Sequence, residues 1–469
     1  MKKLILIILL IPAFAGAQSK STASVHFSCT DKTLEQGFIW ASQQALGYVR
    51  RNGDPVGDWY EAALPNREAF CMRDVSHQLI GANILGLADI NRNLLTKFVK
   101  PVSESRDWCG YWEIDRLDRP APVDYKSDAD FWYNLPANFD ILDACIRQYY
   151  WTGDTTYLIN TDFQRFYKIT CNEYMSKWDR DGNGVMEGTR DPKLRYRGIG
   201  SYNEDQSGVT GNDLVAAQVL GLRRYAEMLT LIRNTRQVSA YQKRADRLQA
   251  AFEKTWWDDA TKTYNQFLRE DGTWVRQDIM LLFLLRWNFV REDRIQEVLK
   301  RLDDTEATIN VESFSYWPLE VYRYGQQERA TALLRKLVSP ELKRREYPEV
   351  SYAAVEAYTM GLMGIEPYAK NRTIRTLSRL DQSAEADMEN IPVFDGSITV
   401  RHDGMSSTRF TNHTKKTVNW VACFYKDDAE LRYNGRNITG KIARDRNNRR
   451  YAFFSLMVKP GETATVSVL

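Results

Sequence analysis

From Thr30 to about Leu362, apolar residues recur three and four positions apart between turn-rich breaks, the period of helices that each bury one stripe. The spacing predicts helices over about 31–50, 74–100, 136–152, 155–178, 211–234, 237–257, 277–289, 291–302, 312–324, 326–338 and 350–363. Asp31 offers the acceptor side chain of an N-cap, and Pro101 stops the helix that opens at Asp74. These eleven segments approach the twelve helices of six hairpins. Connections at 51–72, 179–210 and 339–349 are long or rich in Gly, Pro and charge, whereas those at 153–154, 235–236 and 325 are tight. In a ring of antiparallel hairpins this alternation gathers the long connections on one rim, where binding residues sit on a packed scaffold. Beyond about Arg372 the period falls to two, as in Ser397-Ile398-Thr399-Val400-Arg401, Val418-Asn419-Trp420-Val421 and Thr463-Ala464-Thr465-Val466, with Gly396, Gly404, Gly435 and Gly440 between runs. The fold class is therefore mainly α: an (α/α)6 toroid of helical hairpins over residues 18–371, flanked by a small antiparallel, sandwich-like β domain over 372–469.

Residues 1–17 read differently. Lys2 and Lys3 precede an apolar run that ends in Ala15-Gly16-Ala17, the small-x-small pattern of a cleaved secretory signal. The run is shorter than the roughly 20 residues that span a bilayer. The mature protein is expected in the periplasm or secreted, with no membrane span after cleavage. Its 27% charged and 43% hydrophobic residues are those of an ordinary globular protein, and a formal charge of +3 gives no reason to expect a nucleic-acid partner. Six cysteines in so long a chain are not a disulfide scaffold, none of their spacings reads as a metal site, and buried thiols are expected. Four histidines leave little room for zinc sites or histidine-based triads. Trp, Tyr and Phe number 13, 25 and 19. Most must pack the core, but Trp108, Tyr111, Trp112, Trp132 and Tyr133 fall in turn-rich segments, where aromatic rings suit the faces of sugars.

Three acidic stretches stand at the mouths of helices: around Asp74, around Glu204, and around Glu346 and Glu349. Inverting glycoside hydrolysis needs one carboxyl group to protonate the leaving oxygen and a second, roughly 6.5–9.5 Å away, to activate water. Singly, each stretch reads as a solvated loop; together, on one rim, they can supply that geometry. Glu113, in a loop with Trp108, Trp112 and Asp124, is a further catalytic or binding candidate. Asp179-Arg180-Asp181-Gly182-Asn183 begins like a calcium loop, but Arg190 stands where an EF-hand has Glu. A tight Asp-Gly turn fits better, with a partial Ca2+ site near Asp179, Asp181 and Asn183 as the alternative and no other cofactor expected.

Met72-Arg73-Asp74-Val75-Ser76 resembles the Arg-Asp motif at the start of the second barrel helix in six-hairpin glycosidases, glucoamylases among them. The resemblance implies that Arg73 and Asp74 bind hydroxyls of a terminal sugar, a guanidinium and a carboxylate together offering fixed donors and acceptors. Ser201-Tyr202-Asn203-Glu204-Asp205-Gln206-Ser207-Gly208 is similar to the stretch that carries the glucoamylase general acid, which implies that role for Glu204, with Asp205 its nearest competitor and Asp213 in reserve if the register slips. Glu346-Tyr347-Pro348-Glu349-Val350-Ser351-Tyr352-Ala353-Ala354 resembles the segment around the base and implies Glu349 or Glu346. Pro348 and the helix N-terminus favour Glu349, held ionised. The last strands look like those of rhamnosidases with the same barrel. Two departures stand out: Asn203 replaces a tryptophan of the glucoamylase motif, and there is no room before the first helix for the large β-sandwich many relatives carry.

The implied activity is an exo-acting, inverting glycoside hydrolase that cleaves terminal sugars from oligosaccharides or polysaccharides, with Trp108, Trp112, Glu113 and Trp132 adding substrate contacts. One alternative is a polysaccharide lyase on the same toroid, using Tyr202 or His77 as base with Arg197 as cation. The other is a carbohydrate-binding protein without catalysis.

Overall fold

The computed structural model describes residues 24–51, 53–188, 208–276 and 278–469. Among these, twelve principal helical segments pair into six hairpins, each entered on an outer helix and left on an inner one. The outer helices are Lys32–Gly47, Ala88–Val99, Thr161–Ile169 with its continuation to Trp178, Val238–Thr255, Ile295–Asp303 and Gln327–Val338. Each buries one stripe and leaves charged residues outside, as the sequence period requires. The inner helices are Met72–Ile84, Ala137–Thr152, Asn212–Leu231, Leu281–Arg286, Val311–Arg323 and Pro348–Glu356, and most of their residues are buried. Successive inner helices touch, and Pro348–Glu356 packs back on Met72–Ile84, so the ring closes.

The sequence period predicts one helix over 74–100. The chain instead reverses at Gly86, whose φ of +81° is open to glycine at little cost. There the amides of Gly86 and Leu87 donate to the carbonyls of Asn83 and Ala82, a Schellman-type stop. That break supplies the twelfth helix. The outer helices end and the inner ones begin on the same rim, so all six inner N-termini gather there. Asp31 caps the first helix, accepting from the amides of Thr33 and Leu34.

The β region has two sheets. In spatial order the larger contains His26–Cys29, Glu385–Val393, Gly396–Asp403, Ser407–Asn412, Thr463–Val468, Glu430–Tyr433 and Arg436–Thr439. The smaller contains Glu366–Tyr368, Thr373–Leu377, Val418–Phe424, Arg450–Val458 and Lys441–Arg444. Two features differ from the sequence expectation. The strand His26–Cys29, ahead of the toroid, pairs with Glu385–Val393, because its alternate residues Phe27 and Cys29 find a buried face there. Thr373–Leu377 and Val418–Phe424 run parallel. Trp151 Nε1 donates to Pro392 O at 2.8 Å, and His402 Nε2 meets Met363 O at 2.9 Å, so the sheets are tied to the toroid's flank.

Between the sheets Trp420 stacks on Phe410 with ring centroids 5.1 Å apart, and its Nε1 donates to Thr376 Oγ1 at 2.9 Å. Trp420→Ala should cost about 3–5 kcal/mol through the cavity left behind, measured as a shift in the urea unfolding midpoint. All six cysteines are buried. Among the described residues no helix is long and apolar enough to cross a membrane.

Candidate functional site

The inner N-termini surround a cavity of about 670 Å³ lined by Arg67, Arg73, Asp74, His77, Trp112, Glu113, Asp124, Trp132, Glu312, Tyr316, Tyr347 and Glu349, among others. Its walls follow from local register. Ala69–Cys71 pairs antiparallel with Glu113–Asp115, placing Cys71 opposite Glu113, and the amide of Met72 donates to Trp112 O at 2.9 Å. The Trp112-Glu113 loop is thereby held against the start of the Asp74 helix. On the other side, Tyr347 ends the preceding loop and Pro348 occupies the first helical position, where its missing N–H costs nothing. Glu349 follows in the first turn. Because Met72–Ile84 and Pro348–Glu356 are ring neighbours, Asp74 and Glu349 meet.

Two carboxyl pairs result. Burial first, and then the neighbouring Asp74, push the Glu349 carboxyl well above the usual range, against the opposing pull of Arg73. Its Oε2 is buried without a hydrogen-bond partner among the described residues. The expectation that the helix N-terminus keeps Glu349 ionised is thus corrected: desolvation and a like charge outweigh a partial dipole. The second pair is Glu113 with Asp124. Burial first, then Asp124, raise Glu113 to about 8, although Arg67 opposes the shift. Arg67 donates from Nε to Glu113 Oε2 at 3.2 Å and from Nη2 to Asp124 Oδ2 at 3.5 Å. Arg73 lies 3.4 Å from Asp74 Oδ1 and over the Trp112 ring at 5.4 Å. His77 forms part of the lining, with its ring 4.6 Å from that of Tyr316. Burial, with Arg286, Arg73 and Arg147 nearby, lowers its pKa and keeps it neutral.

Of the residues singled out in the sequence, Arg73, Asp74, Trp112, Glu113, Trp132 and Glu349 are brought together here. Glu204 and Asp205 lie outside the described residues, as do Tyr202 and Arg197. Glu346 is not at the cavity: it is exposed on the loop before Tyr347, and its carbonyl accepts from the Tyr48 hydroxyl. Trp108 is also displaced, because its ring packs on the hydrophobic core while its carbonyl accepts from Asn138 Nδ2 at 2.9 Å. Tyr133 is core as well, at 1% exposure. Asp213 is fully buried within its helix.

The Asp179 loop closes on itself. Asp181 Oδ1 accepts from the Asn183 amide at 3.0 Å and Asp179 Oδ2 from the Gly184 amide at 3.0 Å, the hydrogen bonds of a tight Asx-type turn. Among the described residues no group of three or more His, Cys, Asp or Glu side chains is arranged to hold a metal ion.

Sequence reasoning missed Arg67 and Glu312. Arg67 carried no signal, being one arginine in a long loop. Glu312 did: Asn310 caps the helix Val311–Arg323, accepting from the Ser313 amide at 2.8 Å, and so marks a fifth inner N-terminus on the rim.

Several solved structures share this fold. A rhamnosidase of Bacillus sp. GL1 is 12% identical with a TM-score of 0.58, covering 82% of this chain and 40% of its own. An α-L-rhamnosidase from Dictyoglumus thermophilum is 13% identical with a TM-score of 0.61, covering 95% and 50%. A putative kojibiose phosphorylase from the human microbiome is 10% identical with a TM-score of 0.58, covering 93% and 63%. The chain therefore spans between two fifths and two thirds of the length of these neighbours, and at such identity the likeness establishes the toroid. No family model matches the chain, and neither does any curated protein.

Proposed function

We propose that the rim cavity is the active site of a glycoside hydrolase that removes terminal sugars from oligosaccharides or polysaccharides by inversion. The observation that carries this reading is the convergence of two carboxyl pairs, buried Asp74 with Glu349 and buried Glu113 with half-buried Asp124, in one cavity flanked by Trp112 and Trp132. Its volume is that of a small-molecule pocket, within the ~300–1,000 Å³ such sites span. His77, Phe283 and Tyr316 add apolar surface to its lining, which suits a chain end. The names of the structural neighbours, rhamnosidases and a phosphorylase of a sugar, also fit a carbohydrate substrate. The signal-like residues 1–17 fit export to the periplasm or beyond.

In this reading Asp74 and Glu349 share one proton, and the pair's single negative charge takes a proton from the attacking water, as two close carboxyls cannot both ionise. The role belongs to the pair and not to either residue alone. Arg73 holds the pair and a sugar hydroxyl. The resemblance to the glucoamylase motif implies proton donation by Glu204. A second donor, Glu113, is favoured by a specific observation: its carboxyl keeps its proton up to about pH 8 and lines the cavity.

If Glu113 donates, activity should fall as pH rises through about 8, and Glu113→Gln should abolish that limb while Glu204→Gln leaves it in place; kcat/KM profiles across pH decide between them. Stability follows the same group. The folded state holds a proton on Glu113 that the unfolded chain has released above its ordinary range, so stability declines as pH rises from about 4.5 to about 8. Glu113→Gln should flatten that part of the melting-temperature curve.

A glycan-panel digest tests the activity itself. Release of terminal monosaccharide supports it; unsaturated, ultraviolet-absorbing products, or binding without turnover across the panel, would replace it with a lyase or a binding protein.

A further inference from the structure

The opposite mouth of the toroid holds a second cavity, of about 310 Å³, at the C-terminal ends of the inner helices. Six guanidinium groups line it, those of Arg147, Arg223, Arg224, Arg286, Arg323 and Arg446, against three carboxylates. Arginines near helix C-termini complement the carbonyl ends and are expected there. Pairing accounts for part of this set. Asp143 receives Arg147 Nε at 2.6 Å and Arg224 Nε at 2.7 Å; burial alone would raise its pKa, and the two arginines bring it down to about 2. Glu227 receives Arg224 Nη1 at 2.9 Å and the Tyr150 hydroxyl. Glu320, behind the lining, receives Arg323 Nη1 at 2.8 Å.

What remains is a set of buried guanidinium nitrogens that make no hydrogen bond. The Arg286 side chain is only 6% exposed and sits 3.5 Å from Glu320 and 3.9 Å from Glu356; its Nη1 donates no hydrogen bond, and Oε2 of each of these carboxylates accepts none among the described residues. Nη1 of Arg147 is likewise buried and without a partner, although its Nη2 donates to Ser76 O at 2.6 Å. A buried cation short of acceptors is costly unless an anion meets it. Exposed Arg446, from the turn of a β hairpin, overhangs the same space. Arg223 pairs outward with Asp246 at 3.5 Å, so with Glu320 and Asp246 counted one positive charge is uncompensated. Donors from separate helices and from the β region approach from more than one plane, whereas one arginine fork already satisfies a planar carboxylate.

We propose that this mouth binds a tetrahedral oxyanion, a phosphate or sulfate group, between Arg147, Arg286 and Arg446. The site is separate from the rim cavity, although Arg286 lies against the ring of Tyr316, which lines that cavity, at 4.8 Å. It does not depend on the hydrolase reading.

The test is calorimetric titration of the full chain with inorganic phosphate, sulfate and acetate at low ionic strength, with Trp287 in the cavity wall as a fluorescence reporter. Phosphate or sulfate should bind saturably and acetate should not. Arg147→Gln and the exposed Arg446→Gln should each weaken binding about tenfold or more, the scale of a lost charge-assisted hydrogen bond, while Arg67→Gln in the rim cavity leaves it unchanged. If Arg147→Gln fails to fold, Arg446→Gln alone decides. Absence of saturable binding, acetate binding as tightly as phosphate, indifference to Arg446→Gln, or loss in Arg67→Gln would each overturn the assignment.

Discussion

Glu349→Gln is expected to lower kcat by about 10²- to 10⁴-fold, the usual contribution of a positioned proton acceptor, because Gln prevents the proton from passing to Asp74 and leaving Glu349 as the acceptor, with a melting temperature that is unchanged or higher. The two halves of that result share one cause. Gln has the shape of a protonated Glu, and burial beside Asp74 already favours the protonated form. The folded protein therefore keeps a proton that the unfolded chain loses above the ordinary Glu range, and stability falls as pH rises beyond that range. Removing the titratable group removes this slope. A Glu349 that only supported the helix start would behave in the opposite way, with turnover intact and the helix weakened. Steady-state kinetics and thermal melts on the same preparation, repeated at several pH values, separate the two.

Gly81→Ala should be as damaging, from about 10 Å along the same helix, seven residues at 1.5 Å each beyond Asp74. A Cβ at Gly81 would lie 2.2 Å from the carbonyl oxygen of Tyr352, a backbone atom that cannot swing away. The two helices in contact there carry Asp74 and Glu349. Adding one methyl group must push them apart, at about 1–3 kcal/mol or more for overpacking. The carboxyl pair would separate with them. The expected outcome is a lower urea midpoint together with a loss of activity larger than the unfolded fraction explains, and a Glu349 that titrates closer to its ordinary range. An enzyme of normal kcat with only lowered stability would mean that the helix spacing does not set the pair.

The toroid was legible because its cause is repetitive. Apolar residues three and four apart mark each helix, and that period is written in the chain from Thr30 to Leu362. The break at Gly86 was hidden because Leu85 and Leu87 continue the apolar pattern through a turn that glycine alone signals. The strand His26–Cys29 was hidden for another reason: its partner lies more than 350 residues away, and four residues carry no period of their own.

At the site, helix-start position identified Asp74 and Glu349, since inner N-termini share a rim in any such ring. Position could not reveal that they touch. The two helices pack closely at Gly81, and burial beside Asp74 reverses the protonation expected of Glu349. Glu113 reached the cavity through a strand register, Cys71 opposite Glu113, that a three-residue strand does not announce. Trp108, at φ +65°, packs its ring on the core and is not part of the cavity lining.

The Asp74–Glu349 pair is proposed to activate water against a terminal sugar. Proton NMR of the first sugar released, with wild type and Glu349→Gln followed side by side, decides this claim. The wild type should release a sugar whose anomeric configuration is opposite to that of the bond cleaved, and Glu349→Gln should show no such signal on the same timescale. Equal release by both proteins would contradict the claim.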